Sequence, residues 1–264
     1  MTIERHITFI IGKGRVTVWK INRLKKLTSF FRSVIIWQNI TTAKMSSAEH
    51  PLKVMSLGCK ENDLCQLWIE GSDAELACMV LTDFIADQFQ IVNTSHKCNV
   101  KETNSIIENH LTFHLPFSID YHFETIQVHD GIEKDCLISK ISTISCKKLS
   151  QQIFEGLRKR ESISSTGIGN NIAIPHLVIN GVEKPIITVI HLDKAINWNT
   201  SIGKVNLIIT MLMPEPLSPE VAKTFAQIAR AMVDPLNCHF LTRTIDPEAI
   251  KAILFHIMAK GIRS

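Results

Sequence analysis

Long apolar runs are missing from this 264-residue chain. No stretch approaches the roughly 18 apolar residues that a membrane-spanning helix needs. The best candidate, Phe30 to Trp37, is short and broken by Arg32 and Ser33, so no direct membrane insertion is expected. The start of the chain lacks the apolar core and small-residue cleavage site of a secretory signal. The seven cysteines include no Cys-x-x-Cys pair. Their odd number, without a secretory signal, reads as reduced thiols in a cytoplasm. Cys59 and Cys65 share a turn-like segment, but two thiols without a second pair make a weak metal site, and no metal is expected.

Several catalytic signatures are absent as well. There is no GxxxxGK[ST] phosphate loop, and Gly167-Ile168-Gly169 lacks the third glycine of a dinucleotide fingerprint because Ile172 stands there. No Ser-His-Asp order and no paired carboxylates stand out for hydrolysis. Basic residues are not interleaved with aromatics in a nucleic-acid-binding pattern, so no nucleic-acid partner is expected.

What remains is an ordinary globular composition, 45% apolar and 20% charged, in a length that fits one or two domains with cores of their own. Charge is uneven. Residues 1–47 carry nine Lys/Arg and one acidic residue, while the rest carries twenty basic and twenty-four acidic residues. A basic start can face nucleic acid, a membrane surface or an acidic protein, or form a solvated helix face around Arg23, Lys25 and Lys26.

Periodicity outlines two folded segments. In the first, about 5–90, Ile7–Ile11 reads as a strand ending at the turn Gly12-Lys13-Gly14. Residues 17–29 read as a helix with Ile21, Leu24 and Leu27 on one face. Strands follow at 34–37 and 64–69. Gly71-Ser72-Asp73 then opens a helix with Ala77, Val80, Leu81 and Phe84 inward. Residues 93–117, rich in Asn, Thr, Ser and His, read as a linker. In the second segment, about 118–260, helices are predicted at 130–145, 147–160, 219–233 and 247–258, with strands at 186–192 and 205–211. This alternation indicates α/β packing.

The run from Arg160 to His176 carries the chemistry. Hydroxyls at Ser165 and Thr166 and glycines at Gly167 and Gly169 precede a short apolar strand ending in Pro175-His176. Glycines permit tight turns and close approach of a ligand, and free backbone N–H groups in such turns favour anions. A neutral imidazole nitrogen attacks phosphorus near pH 7, and Arg160 supplies a forked charge for the transferring group. Spacing alone leaves His176 open between a phosphoryl acceptor and a structural histidine. His96, His110, His114, His122 and His129 have no zinc-motif spacing, and His191 reads as a packing residue.

The run STGIGNNIAIPH, with Arg160 and Glu161 upstream, resembles the active-site signature of fructose/mannitol-type enzyme IIA domains of the bacterial sugar phosphotransferase system. The resemblance spans about residues 120–258. It implies a phosphotransferase in which phospho-HPr charges catalytic His176, assisted by Arg160, with Ser165, Thr166, Gly167 and Gly169 around the phosphate. An enzyme IIB would then receive the group during sugar uptake. No cofactor is implied. The family's second histidine falls on Val221, which cannot bind a phosphoryl oxygen, and this favours an alternative, a regulatory protein whose His176 phosphorylation state controls a docked partner.

Residues 5–90 resemble HPr more faintly, through Val54-Met55-Ser56-Leu57-Gly58, Lys60, Asp63 and Glu70-Gly71-Ser72-Asp73-Ala74-Glu75. The family's phosphoryl-accepting histidine falls on Val16, its supporting arginine on Val18 and its regulatory serine on His50, so this domain is expected to dock or support rather than carry phosphate. The implied fold is α/β throughout. A degenerate HPr-like open-faced α/β sandwich (1–92) and a linker (93–117) precede an enzyme IIA-type domain (118–264) with a mixed central sheet flanked by helices.

Overall fold

The computed structural model describes residues 3–96, 99–129, 132–199 and 203–263. The chain divides into two compact units, residues 1–114 with 246–263, and residues 115–245.

The first unit is built on β1 (Ile3–Ile10), β2 (Val34–Asn39), β3 (Lys44–Ser47), β4 (Leu64–Gly71) and β5 (Gln90–Thr94), in the order β3-β2-β4-β1-β5. Every pairing in it is antiparallel. Helices α1 (Val18–Thr28), α2 (Pro51–Ser56) and α3 (Ala74–Gln88) join the strands. Alternation along the strands turns Ile7, Phe9, Ile35, Trp37, Leu67 and Ile69 into one core with Ile21 and Leu24 of α1 and Ala77 and Leu81 of α3. Phe9, Trp37 and Phe89 meet there with ring centroids 5.2 to 5.9 Å apart. The opposite pleat carries Thr8, Gln38, Gln66 and Asn93, all buried, with Gln66 donating to Thr8 at 3.0 Å.

Residues 93–117, predicted as a linker, contain α4 (Val100–Asn109) and a 3₁₀ turn at Leu111–Phe113. The helix is hard to read from composition because it buries only Thr103 and Ile107, and its start is fixed by Asn99, whose side chain accepts from Glu102 N. The terminal helix, taken in chain order below as α9, groups with this unit. His256 lies 2.8 Å from the Thr41 hydroxyl, and Lys251 donates to Asn104.

The second unit centres on a mixed sheet of β6 (Asp120–Ile126), β7 (Gly167–Gly169), β8 (Asn171–Ala173), β9 (His176–Ile179), β10 (Ile186–Asn199) and β11 (Gly203–Pro214). Its order is β6-β10-β11-β8-β7, and β9 continues beside β11 beyond β8. Helices α5 (Lys134–Ser145), α6 (Ser150–Ile163), α7 (Pro219–Ala231) and α8 (Pro235–Arg243) flank it, and α9 (Pro247–Arg263) follows in the chain. Strand β10 outruns its predicted end at 192. The continuous apolar run gives way there to alternation, with Ile196 and Trp198 still buried between polar neighbours. Ser218 caps α7 by accepting from Val221 N, and Pro219 occupies the first turn as predicted. Among the described residues no helix is long and apolar enough to cross a membrane.

Candidate functional site

Two structural features bring Arg160 and His176 together. Arg160 lies in the last turn of α6, where a cation meets the negative end of the helix dipole. The chain then turns through β7 and reverses at Gly169, Asn170 and Asn171, all with positive φ (82°, 51° and 64°). Glycine and asparagine tolerate that left-handed backbone, so three of them in a row permit this reversal. Strand β8 returns, Pro175 O accepts from Met211 N at 2.9 Å, and His176 opens β9 opposite Met211. Helix α6 approaches β9 closely because position 156 is glycine. A Cβ there would stand 2.6 Å from a Leu177 methyl, one turn before Arg160 and next to His176.

The imidazole is held at both nitrogens. His176 Nδ1 lies 3.0 Å from Ile174 O. A carbonyl only accepts, so Nδ1 carries the proton and, in the neutral ring, Nε2 keeps a bare lone pair. Arg160 Nε donates toward that lone pair at 3.3 Å, and Arg160 Nη1 donates to Ser164 O at 3.0 Å. The ring is partly exposed. It lines a cavity of about 380 Å³ with Arg160, Ser165 and Thr166 on one side, and Met211, Met213, Leu217, Ala222 and Phe225 on the other.

Glu161 organises the loop, a role that its place in the motif did not reveal. Its buried carboxylate accepts from Ser165 Oγ at 2.9 Å, from Thr166 N at 3.0 Å and from the Thr166 hydroxyl. Lys134 stands 3.5 Å away as counter-charge. The hydroxyl protons of Ser165 and Thr166 are thus committed to Glu161. Backbone donors of the turn are committed too: Thr166 N donates to Glu161 and Gly167 N to Ser165 Oγ at 3.4 Å. Gly167 and Gly169 shape β7, while Ile168 between them lines the cavity. Arg160 is therefore the cation that faces His176 directly.

Val221 is buried at the start of α7, and it is Ala222 that reaches the cavity wall. Neither side chain has a polar atom for a phosphoryl oxygen. His191 lies buried within β10. In the first unit, Val16 packs against the core, and Val18 opens α1 more than half exposed. His50 precedes α2 without a side-chain capping bond.

Residues 21–87 match the family described as PTS HPr component phosphorylation site. The nitrogen regulatory protein of Pseudomonas aeruginosa is 38% identical over 109 residues, which cover 39% of this chain and 70% of that protein. Multiphosphoryl transfer protein 1 of Escherichia coli is 29% identical over 103 residues, and the match spans only 12% of its length. A crystal structure of nitrogen regulatory protein IIA-Ntr from Neisseria meningitidis aligns with 24% identity and a TM-score of 0.45, covering 50% of this chain and 92% of that one. Residues 124–257, just over half of the sequence, match the family described as phosphoenolpyruvate-dependent sugar phosphotransferase system, EIIA 2, and the chain belongs to that family.

Proposed function

We propose that this chain is a regulatory phosphotransfer protein: His176 takes a phosphoryl group from a phosphohistidine donor of the HPr type, and the phosphorylation state governs a docked partner. The observation that carries the reading is the tautomer lock, with Nδ1–H tied to Ile174 O and Nε2 turned toward Arg160 at an open cavity. In the transfer, the Nε2 lone pair attacks phosphorus in line, the donor's N–P bond breaks, and its electron pair returns to the donor ring. No proton needs to leave His176. The Nδ1–H bond to Ile174 O stabilises the charge that the ring acquires, and the Arg160 guanidinium, shifting from Nε2 to a phosphoryl oxygen, offsets the anionic charge. Catalysis of this kind rests on positioning and charge.

Two observations support regulation over bulk relay. Relatives 38% and 32% identical carry the name nitrogen regulatory protein, and neither Val221 nor Ala222 offers a second polar group to hasten onward transfer. The runner-up is relay to an enzyme IIB in fructose- or mannitol-type uptake, which the STGIGNNIAIPH run favours. The test is to incubate the protein with enzyme I, HPr and labelled phosphoenolpyruvate, with and without a candidate IIB. Label at His176 that persists when IIB is added fits regulation, discharge to IIB fits relay, and no label at all ends both readings.

A further inference from the structure

Cys59 and Cys65 lie outside the phosphotransfer chemistry, yet the fold of the first unit sets their sulfurs 3.8 Å apart. Cys65 is fixed, buried on central strand β4 and in register with Phe9 of β1 and Asn39 of β2. Cys59 lies on the turn that leads into β4 and is partly exposed. Asn39 Nδ2 donates to Cys59 Sγ at 3.4 Å and to Asp63 Oδ2 at 3.1 Å. Among the described residues no group of three His, Cys, Asp or Glu is placed to hold a metal, so the pair stands as a dithiol.

We propose that Cys59 and Cys65 form an oxidant-responsive dithiol, in which Cys59 attacks a hydroperoxide and Cys65 resolves it to an intramolecular disulfide. Cys59 has the access and Cys65 the fixed position, an asymmetry that suits one attacking and one resolving thiol. The surroundings agree. The hydrogen bond from Cys65 is the main influence holding the Cys59 thiol below its ordinary value, with donors from Asn39 and Trp37 adding, against burial and Asp63. Burial pushes Cys65 well up. The Trp37 indole N–H is buried with no partner at full hydrogen-bonding distance, leaving a donor available beside the sulfurs.

The chemistry balances. The Cys59 thiolate attacks one peroxide oxygen, the O–O bond breaks, and the alcohol (water, from hydrogen peroxide) leaves with the thiol proton, giving Cys59 sulfenic acid. Cys65 sulfur then attacks Cys59 sulfur. The S–O bond breaks, hydroxide leaves with the Cys65 proton as water, and the peroxide has accepted the two electrons of the new S–S bond. A disulfide needs sulfurs about 2.05 Å apart, so Cys59 must approach. Gly58, at a φ of 64° with nothing within 4 Å of where a Cβ would stand, leaves the turn room to do so. The movement pulls Cys59 from Asn39 and tightens a turn whose Asn62 carbonyl accepts from Thr112 Oγ1 at 3.1 Å.

The test uses the reduced full-length chain and hydrogen peroxide at about stoichiometric level, followed by alkylation and tryptic digestion. Cleavage after Lys53, Lys60 and Lys97 separates the two cysteines, so the disulfide appears as peptide 54–60 joined to peptide 61–97. Fragmentation distinguishes Cys65 from Cys78 in the longer peptide. The expected result is that joined pair, formed roughly tenfold faster than oxidation of exposed Cys136, whose thiol lacks these donors. Cys65→Ala should abolish the link and leave Cys59, slowed by loss of the Cys65 hydrogen bond, as a sulfenic acid that dimedone traps. Cys59 remaining a free thiol while Cys136 oxidises, or Cys59 oxidising in the unaltered protein without joining Cys65, overturns the proposal. The unaltered protein decides it even if the variant fails to fold.

Discussion

Two loop-to-element junctions invite comparison, the one before α1 in the first unit and the one before β9 in the second. At the first, Val16 packs into the core, Thr17 caps the helix by accepting from Lys20 N, and Lys20 Nζ donates back to Gly14 O at 3.0 Å and Arg15 O at 3.1 Å. The junction is well built but presents Val18 and Trp19, not a nucleophile. At the second, a tautomer-locked imidazole faces an arginine. The match to the HPr family begins only at Ile21, after the segment where the acceptor would stand, and runs on through the strands and helices of the core. Core and chemistry are separate inheritances, because packing constrains the strands while the reacting atoms occupy only a few positions on a loop.

The largest effect that would break this comparison is the transfer of labelling from one junction to the other. His176→Ala should abolish label from charged HPr, as mass spectrometry of the residue 176 peptide would read out. Val16→His in the His176→Ala background should restore none, because the side chain at position 16 packs against the core. Label on that introduced imidazole would mean that the two junctions differ in one residue only. A smaller effect is expected for Arg160→Gln. Removing a preorganised charge from phosphoryl transfer costs about 100-fold in rate, so initial labelling should slow by that order with the end point unchanged. An unaltered rate would remove Arg160 from the chemistry.

The same comparison shows what was legible. Strands β1, β2 and β4 and helices α1 and α3 were readable because Ile7, Phe9, Ile21, Leu24 and Ala77 recur at the period of their element. Helix α4 was not, since it buries one threonine and one isoleucine along a polar run. In the site, Arg160 and His176 were legible from the motif. The commitment of Ser165 and Thr166 to Glu161 was not, because it depends on a carboxylate turning inward at the end of α6, which no spacing rule encodes. Gly156 is similar. Its meaning lies in a contact with Leu177, twenty-one residues on.

Glu161 sharpens the comparison in terms of stability. The loop before β7 makes three hydrogen bonds to one buried carboxylate, whereas the turn before α1 is held by a helix cap and lysine-to-carbonyl bonds. Glu161→Ala leaves the Thr166 N–H and two hydroxyls without their acceptor, and an abandoned buried donor costs about 1–3 kcal/mol. Denaturant titration should show a midpoint lowered by that order, with labelling slowed as the loop loosens. Thr17→Ala, at an exposed cap, should lower it by about 1 kcal/mol. Equal effects would erase the distinction.

The smallest effect belongs to another imidazole of the second unit, His191. His191 Nδ1 is buried without a hydrogen-bond partner, and burial holds the ring's pKa below its ordinary value, with Asp193 pulling partly the other way. In the unfolded chain the same ring titrates near about 6.5. Above that pH it is neutral in both states and contributes nothing to the pH dependence. As pH falls through the unfolded value, the unfolded chain binds a proton that the folded ring resists, so stability drops until the folded pKa is reached. One such proton gives a slope of at most about 1.4 kcal/mol per pH unit. Denaturation midpoints measured from pH 7.5 down to 5 should therefore decline, and His191→Phe should flatten that decline. A decline of the same steepness in His191→Phe would mean that the buried ring takes up its proton as readily folded as unfolded.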